Sequence, residues 1–125
     1  MDANASPYRE LWVESPDGKS LSALINGDLG WLAYFRYDGD GGFSSRNPGY
    51  DGPPDEMVEY RLDNGQHDFY PRAWAYPTPL IERALEYFRN HNEPPTFISW
   101  YNDSGDGETI PPREPRHPGR SARAQ

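Results

Sequence analysis

The sequence predicts an α+β fold: an antiparallel sheet of about five strands, with one long and one short helix packed on one face. Three observations lead there. Short stretches in which apolar and polar residues alternate are separated by Gly, Asp and Asn turns, the pattern of half-buried strands. One later stretch, residues 79–90, changes to a helical period. The order of strands, then one long helix, then a last strand suits a sheet with helices on one side better than alternating parallel units. Hydrophobic residues make up only 34% of the 125, and Gly and Pro together number 26, so much of the chain must be turns. Yet 18 aromatics, four of them Trp, are more than a chain without a core carries.

Residues 8–15, "YRELWVES", alternate with Leu11 and Val13 on one face and end at the turn "SPDG". "KSLSALING" places Leu21, Leu24 and Ile25 at helical spacing before Asn26-Gly27, which predicts the short helix. "GWLAYFRYDG" alternates again and reads as a strand, with Phe43-Ser44-Ser45 as a short hairpin partner. "MVEYRLDNGQHDFYP" reads as a hairpin: Val58, Tyr60 and Leu62 alternate, Asp63-Asn64-Gly65 turn, and residues 66–70 return. In "TPLIERALEYFRNHN", Thr78 is the expected N-cap and Pro79 the first helical residue. Leu80, Ile81, Ala84, Leu85 and Phe88 form the apolar stripe, and Pro94-Pro95 stop the helix. "TFISWY" is the last strand, in which Trp100 is expected to lie largely buried under the helix. Residues 1–102 are thus expected to form a single domain, and residues 103–125 a flexible polar tail rich in Pro and Arg.

Residues 1–110 carry 19 acidic and 8 basic side chains, a net of −11, while residues 111–125 carry +3. Such a domain repels nucleic acid and anionic membranes and draws basic partners. With no cysteine there is neither a disulfide framework nor a thiolate zinc site, and the cytoplasm is the expected compartment. The start "MDANASPYRELW" is acidic and lacks an apolar run, which predicts no secretory signal.

Tests for chemistry find little. His67, His91 and His117 are the only imidazoles. His91 falls at a helix end and His117 in the tail, and His67 and its neighbour Asp68 point to opposite faces of a strand. "DGDGG" (38–42) has the look of a calcium loop without the closing Glu such a loop needs, so a tight turn is the expected reading and no metal is expected. No phosphate-cradling glycine loop precedes a helix, and Lys19 is the only lysine. No cofactor is expected. An enzyme using His67 with loop carboxylates stays a rival reading, and so does an adaptor module.

Recognition fits better. "YDGDGGFSSRNPGYDGPP" (37–54) and "YPRAWAYPTP" (70–79) combine stiff prolines, large aromatics and acids. Aromatics anchor an interface, and acids steer a basic partner towards it. Asp38, Asp40, Tyr50, Asp51, Asp55, Glu56, Trp74 and Tyr76 are the expected contact residues, although Trp74 and Tyr76 would equally serve to close the core.

The colinear set "GWLAYFRYDGDGGFSSRNPGY", "VEYRLDNGQHDFYP", W-x-Y-P and "PLIERALEYFRNHNEPPTFISW", spanning about residues 30–100, resembles the Imm1 family of bacterial immunity proteins. The resemblance implies an antidote rather than an enzyme. Members are typically encoded beside polymorphic toxins, often nucleic-acid deaminases, which they bind and neutralise. It implies a toxin protein as partner; a toxin acting on nucleic acid presents a basic cleft that the acidic domain suits, while the same charge argues against nucleic acid or membrane as partners of this chain. The absence of cysteine in this chain also removes the zinc-ligand pattern such deaminases use.

Overall fold

The computed structural model describes residues 6–112. In chain order it contains the strands β1 (Tyr8–Glu14), β2 (Ser20–Asn26), β3 (Leu29–Phe35), β4 (Phe43–Arg46), β5 (Met57–Arg61) and β6 (His67–Pro71). A 3-10 turn (Arg72–Trp74), the short strand β7 (Tyr76–Pro77), the helix α1 (Thr78–His91) and the strand β8 (Ser99–Asn102) follow. The fold class is α+β as expected, but with eight strands and one α-helix among the described residues rather than five strands and two helices.

The main sheet has the order β1-β2-β3-β4-β8, with every pairing antiparallel. β4 pairs with the C-terminal half of β3, and β7 pairs with Leu29-Gly30 at its other end. β5 and β6 form a separate hairpin. The result is three layers. α1 covers one face, where Ile81, Ala84, Leu85 and Phe88 meet Leu21, Ala23, Ile25, Leu32 and Tyr34. The hairpin covers part of the other face, where Val58, Tyr60 and Tyr70 meet Leu24, Leu29 and Trp31.

The short helix predicted over residues 19–27 is the strand β2, paired on both sides along its whole length. Leu21, Ala23 and Ile25 point to α1, while Leu24 points to the hairpin. Burial on both faces hides the two-residue period, and the spacing 21, 24, 25 then imitates a helix. Asn26-Gly27 is accordingly the start of a hairpin turn: Asn26 pairs with Leu29, and Gly27 takes φ +59°.

α1 also begins differently from expectation. Thr78 is not the N-cap; Pro77 holds that place without a side-chain bond. Thr78 instead docks the helix on the β2–β3 turn, its Oγ1 donating to Gly27 O at 2.7 Å and its N–H to Asp28 O at 2.8 Å. The helix passes so close to β3 that a Cβ on Gly30 would lie 2.8 Å from Ile81 Cγ1. Its end follows the sequence reading: Asn92 takes the left-handed conformation and donates to Phe88 O, ahead of the proline pair.

The last strand is shorter than expected, starting at Ser99, and it forms the sheet edge. Trp100 is half-buried rather than buried beneath the helix. It flanks the core, tilted against Tyr34 at 6.3 Å, with Nε1 donating to Pro95 O.

Of the expected tail, residues 113–125 lie outside the described residues. Residues 103–112 are tied to the domain. Asp103 N–H donates to Gly42 O, Ser44 Oγ donates to Asp103 Oδ2 at 2.6 Å, Asp106 pairs with Arg36 at 2.7 Å, and Ile110 packs on the core.

Candidate functional site

The eight expected contact residues fall into three groups. Asp38 and Asp40 lie in the β3–β4 turn, at one end of β4. Tyr50, Asp51, Asp55 and Glu56 follow β4 and wrap its other end, around Arg72, Ala75 and Pro77. Trp74 and Tyr76 sit between, behind β4. The structure therefore divides the 37–54 stretch between two ends of a four-residue strand.

Asp38 is exposed. Asp40 is not: its side chain has no exposure and accepts from Arg36 N–H at 2.9 Å, Nε at 2.8 Å and Nη2 at 2.7 Å. These bonds hold its carboxyl far below the usual carboxylate range, against the opposing pull of burial. Asp40 is thus a brace of the turn, and its carboxylate is spent inside the protein. Gly42 completes that turn at φ +79°, where any side chain would strike Tyr34 O.

At the other end, Tyr50 is half-buried and donates its hydroxyl to Pro53 O at 2.7 Å, which stiffens the proline loop. Partial desolvation and the neighbouring Glu56 raise its pKa. Asp51 and Asp55 are exposed. Glu56 pairs with Arg72 at 2.9 Å, and Arg72 N–H returns a bond of 2.7 Å to Glu56 O, so this loop is fastened to the 3-10 turn.

Tyr76 is buried, 6% exposed, and its hydroxyl donates to Arg46 O at 2.6 Å while accepting from Ser99 N–H at 3.0 Å. It joins β4 to β8 from inside and is not a surface anchor. Ser45 does similar work, accepting from Leu32 N–H and donating to Trp74 O, both at 3.1 Å. Trp74 is half-buried and carries the guanidinium of Arg46 at 3.6 Å from its ring centre. The ring of Tyr101, 54% exposed, also meets that guanidinium, at 4.5 Å. Trp31, Tyr70 and Trp74 stack in sequence behind it, with centroids 4.3 and 5.9 Å apart. Desolvation lowers the pKa of Arg46, and Asp103, reached through Ser44, partly restores it. Farther along the same face, Trp12 is exposed and stacks on Phe35 at 6.0 Å.

Trp, Tyr and Arg are the types that dominate protein interfaces. Of these additions, the alternation of "YRELWVES" already places Trp12 opposite Leu11 and Val13. Arg46 and Tyr101 gave no such signal, because only the β4–β8 pairing brings them together.

His67 and Asp68 do face apart. His67 Nδ1 lies 2.6 Å from Glu59 Oε2, whereas Asp68 accepts from Gln66 at 2.7 Å and Tyr70 at 3.1 Å, which helps burial push Tyr70 up to about 12. The described residues hold no group of three or more His, Asp or Glu that could bind a metal, and no helix long and apolar enough to cross a membrane.

Residues 3–102 match the family described as Immunity protein Imm1. The chain belongs to that family. No curated protein and no solved structure matches it. As an Imm1 immunity protein it has a toxin protein for a partner, and the arrangement of acids and aromatics around β4 is the surface to weigh against that role.

Proposed function

We propose that this immunity protein neutralises one cognate toxin domain by capping its basic active-site cleft with the surface around β4. Family membership carries the reading. The geometry supports it through Asp38 at one end, Tyr50, Asp51, Asp55 and Glu56 at the other, and the Trp74–Arg46–Tyr101 stack between them. A net charge of −11 over residues 1–110 steers a cationic cleft as it comes within about a Debye length, and fast capture matters for an antidote. A nucleic-acid-directed toxin, such as a deaminase, presents a cleft of that sign, because it must hold phosphates.

The test is co-expression with the toxin domain encoded beside it, followed by co-purification and a toxin activity assay. A stable complex without toxin activity is the expected outcome. If no complex forms at micromolar concentration, the proposal fails. Protection retained by His67→Ala separates this reading from an enzyme that destroys the toxin's product.

A further inference from the structure

On the helix side of the sheet a cavity of about 370 Å³ opens between the chain leaving α1 and the segment after β8. Tyr34 and Phe43 line it from the sheet, Tyr87 from α1, and residues 108–112 from the opposite wall. Its size falls within the range of natural ligand sites, roughly 300–1,000 Å³. It lies apart from the Trp74–Arg46–Tyr101 stack, which is on the other face.

Two features show what it would accept. Tyr34 is only 4% exposed, yet its hydroxyl makes no hydrogen bond among the described residues and faces the cavity. An oxygen left free in this way can accept from an incoming donor. The second feature is charge. Arg36 is the one cation lining the cavity, and it is already committed to Asp40 and Asp106, at 2.7 Å each. Glu93 is held by Lys19 at 3.2 Å, and Lys19 also meets Asp17. Glu108 has no cation within ion-pair distance among the described residues. Of the residues lining the cavity one is cationic and two are acidic, and the cation is already balanced by its own two carboxylates.

We propose that this cavity receives a basic side chain, arginine or lysine, projected by the toxin. The inference rests on the function proposed above for the source of that side chain. Ile110, Pro111, Pro112 and Pro94 supply apolar walls for its methylene stem. Glu108 and Glu93 supply the countercharge, and the Tyr34 oxygen accepts from the terminal N–H. The bonds from Asn102 to Asp106 and to the Glu108 carbonyl, 2.7 and 2.9 Å, keep the outer wall in place before the partner arrives, which lowers the ordering cost of binding.

The experiment uses the full chain and no toxin. Nα-acetyl-arginine methylamide and its lysine analogue are titrated in while backbone amide resonances are followed by NMR. The citrulline analogue, neutral and nearly isosteric with arginine, is the control. Saturable shifts at Thr96, Glu108 and Thr109 are expected, with a dissociation constant on the order of 1–10 mM, as suits a fragment of this size. Glu108→Gln, an exposed change that leaves the fold intact, weakens binding by about fivefold or more, and Tyr34→Phe weakens it while keeping the native spectrum. Absent saturation, equal shifts with citrulline, or unchanged binding by Glu108→Gln would each overturn the proposal. So would a toxin complex formed equally tightly by wild type and Glu108→Gln. Complete absence of a toxin complex instead overturns the function proposed above, and the cation titration stands apart from it.

Discussion

Asp40 takes three hydrogen bonds from one arginine, and no other carboxylate described here is so fully enclosed. Asp40→Asn should cost about 1–3 kcal/mol in denaturant unfolding, because a buried amide replaces a carboxylate that accepts three bonds from Arg36, while Arg36 keeps its pair with Asp106. The pH dependence follows. The folded pKa of Asp40 lies below its unfolded value of about 3.9, so the pair stabilises the fold fully above about pH 5. That contribution drains away as the pH falls towards the depressed value. Acid unfolding of wild type should steepen below about pH 5, and Asp40→Asn should flatten that region; identical acid limbs would refute the assignment. Tyr76→Phe removes one accepted and one donated bond inside the sheet. It should cost about 2 kcal/mol and leave toxin affinity unchanged. The brace role of Asp40 was not legible in the sequence, whereas the core-closing role of Tyr76 was one of its two open readings. An Asp in a Gly-rich turn looks like a surface feature, and only the Arg36 contact shows it turned inward, while the Tyr76 bonds to Arg46 O and Ser99 N–H decide between its two readings.

Elements were legible in proportion to how one-sided they are. α1 has a clean apolar stripe because only one of its faces is buried, and its end at Asn92 agrees with the Pro94-Pro95 signal. The β5–β6 hairpin was readable for the same reason: Val58, Tyr60 and Tyr70 face in, while Met57, Arg61 and Phe69 are exposed. β2 defeated the reading because both its faces are covered, and because Ser and Ala dilute its apolar positions. The docking of α1 on β3 gives a direct check. Gly30→Ala would push a Cβ into Ile81 and should destabilise by about 1–3 kcal/mol, seen as a lower melting temperature. Phe88→Ala, at a fully buried position, should cost about 3–5 kcal/mol.

For the molecule as a whole, the sign and surplus of charge were plain from composition, whereas their placement was not. The acids of residues 37–56 are close in sequence but stand at two ends of β4. Neutralising Asp38, Asp51 and Asp55 together should slow toxin association by about tenfold at low salt and flatten its salt dependence, with little effect on melting. Association as fast as wild type would place the contact surface elsewhere. Removal of residues 103–125 should lower stability by about 2–4 kcal/mol, since it discards the Arg36–Asp106 pair, the Asp103 bonds and the Ile110 contact. Unchanged unfolding after that truncation would show that these contacts carry no weight.

β4 is four residues long, roughly 13 Å of extended chain, and it is clamped on one side by β3 and on the other by β8. It holds Asp38 at one end at a fixed distance from Asp51 and Asp55 at the other. A toxin that touches both ends is gripped at two points whose spacing cannot relax, so the second contact forms at high effective concentration once the first is made. Each grip can then be weak and quickly formed while the pair releases slowly. If the proposed surface is the toxin contact, a toxin with one altered contact would keep the other, and discrimination between related toxins would be a matter of dwell time, set by whether their cationic groups match that fixed spacing.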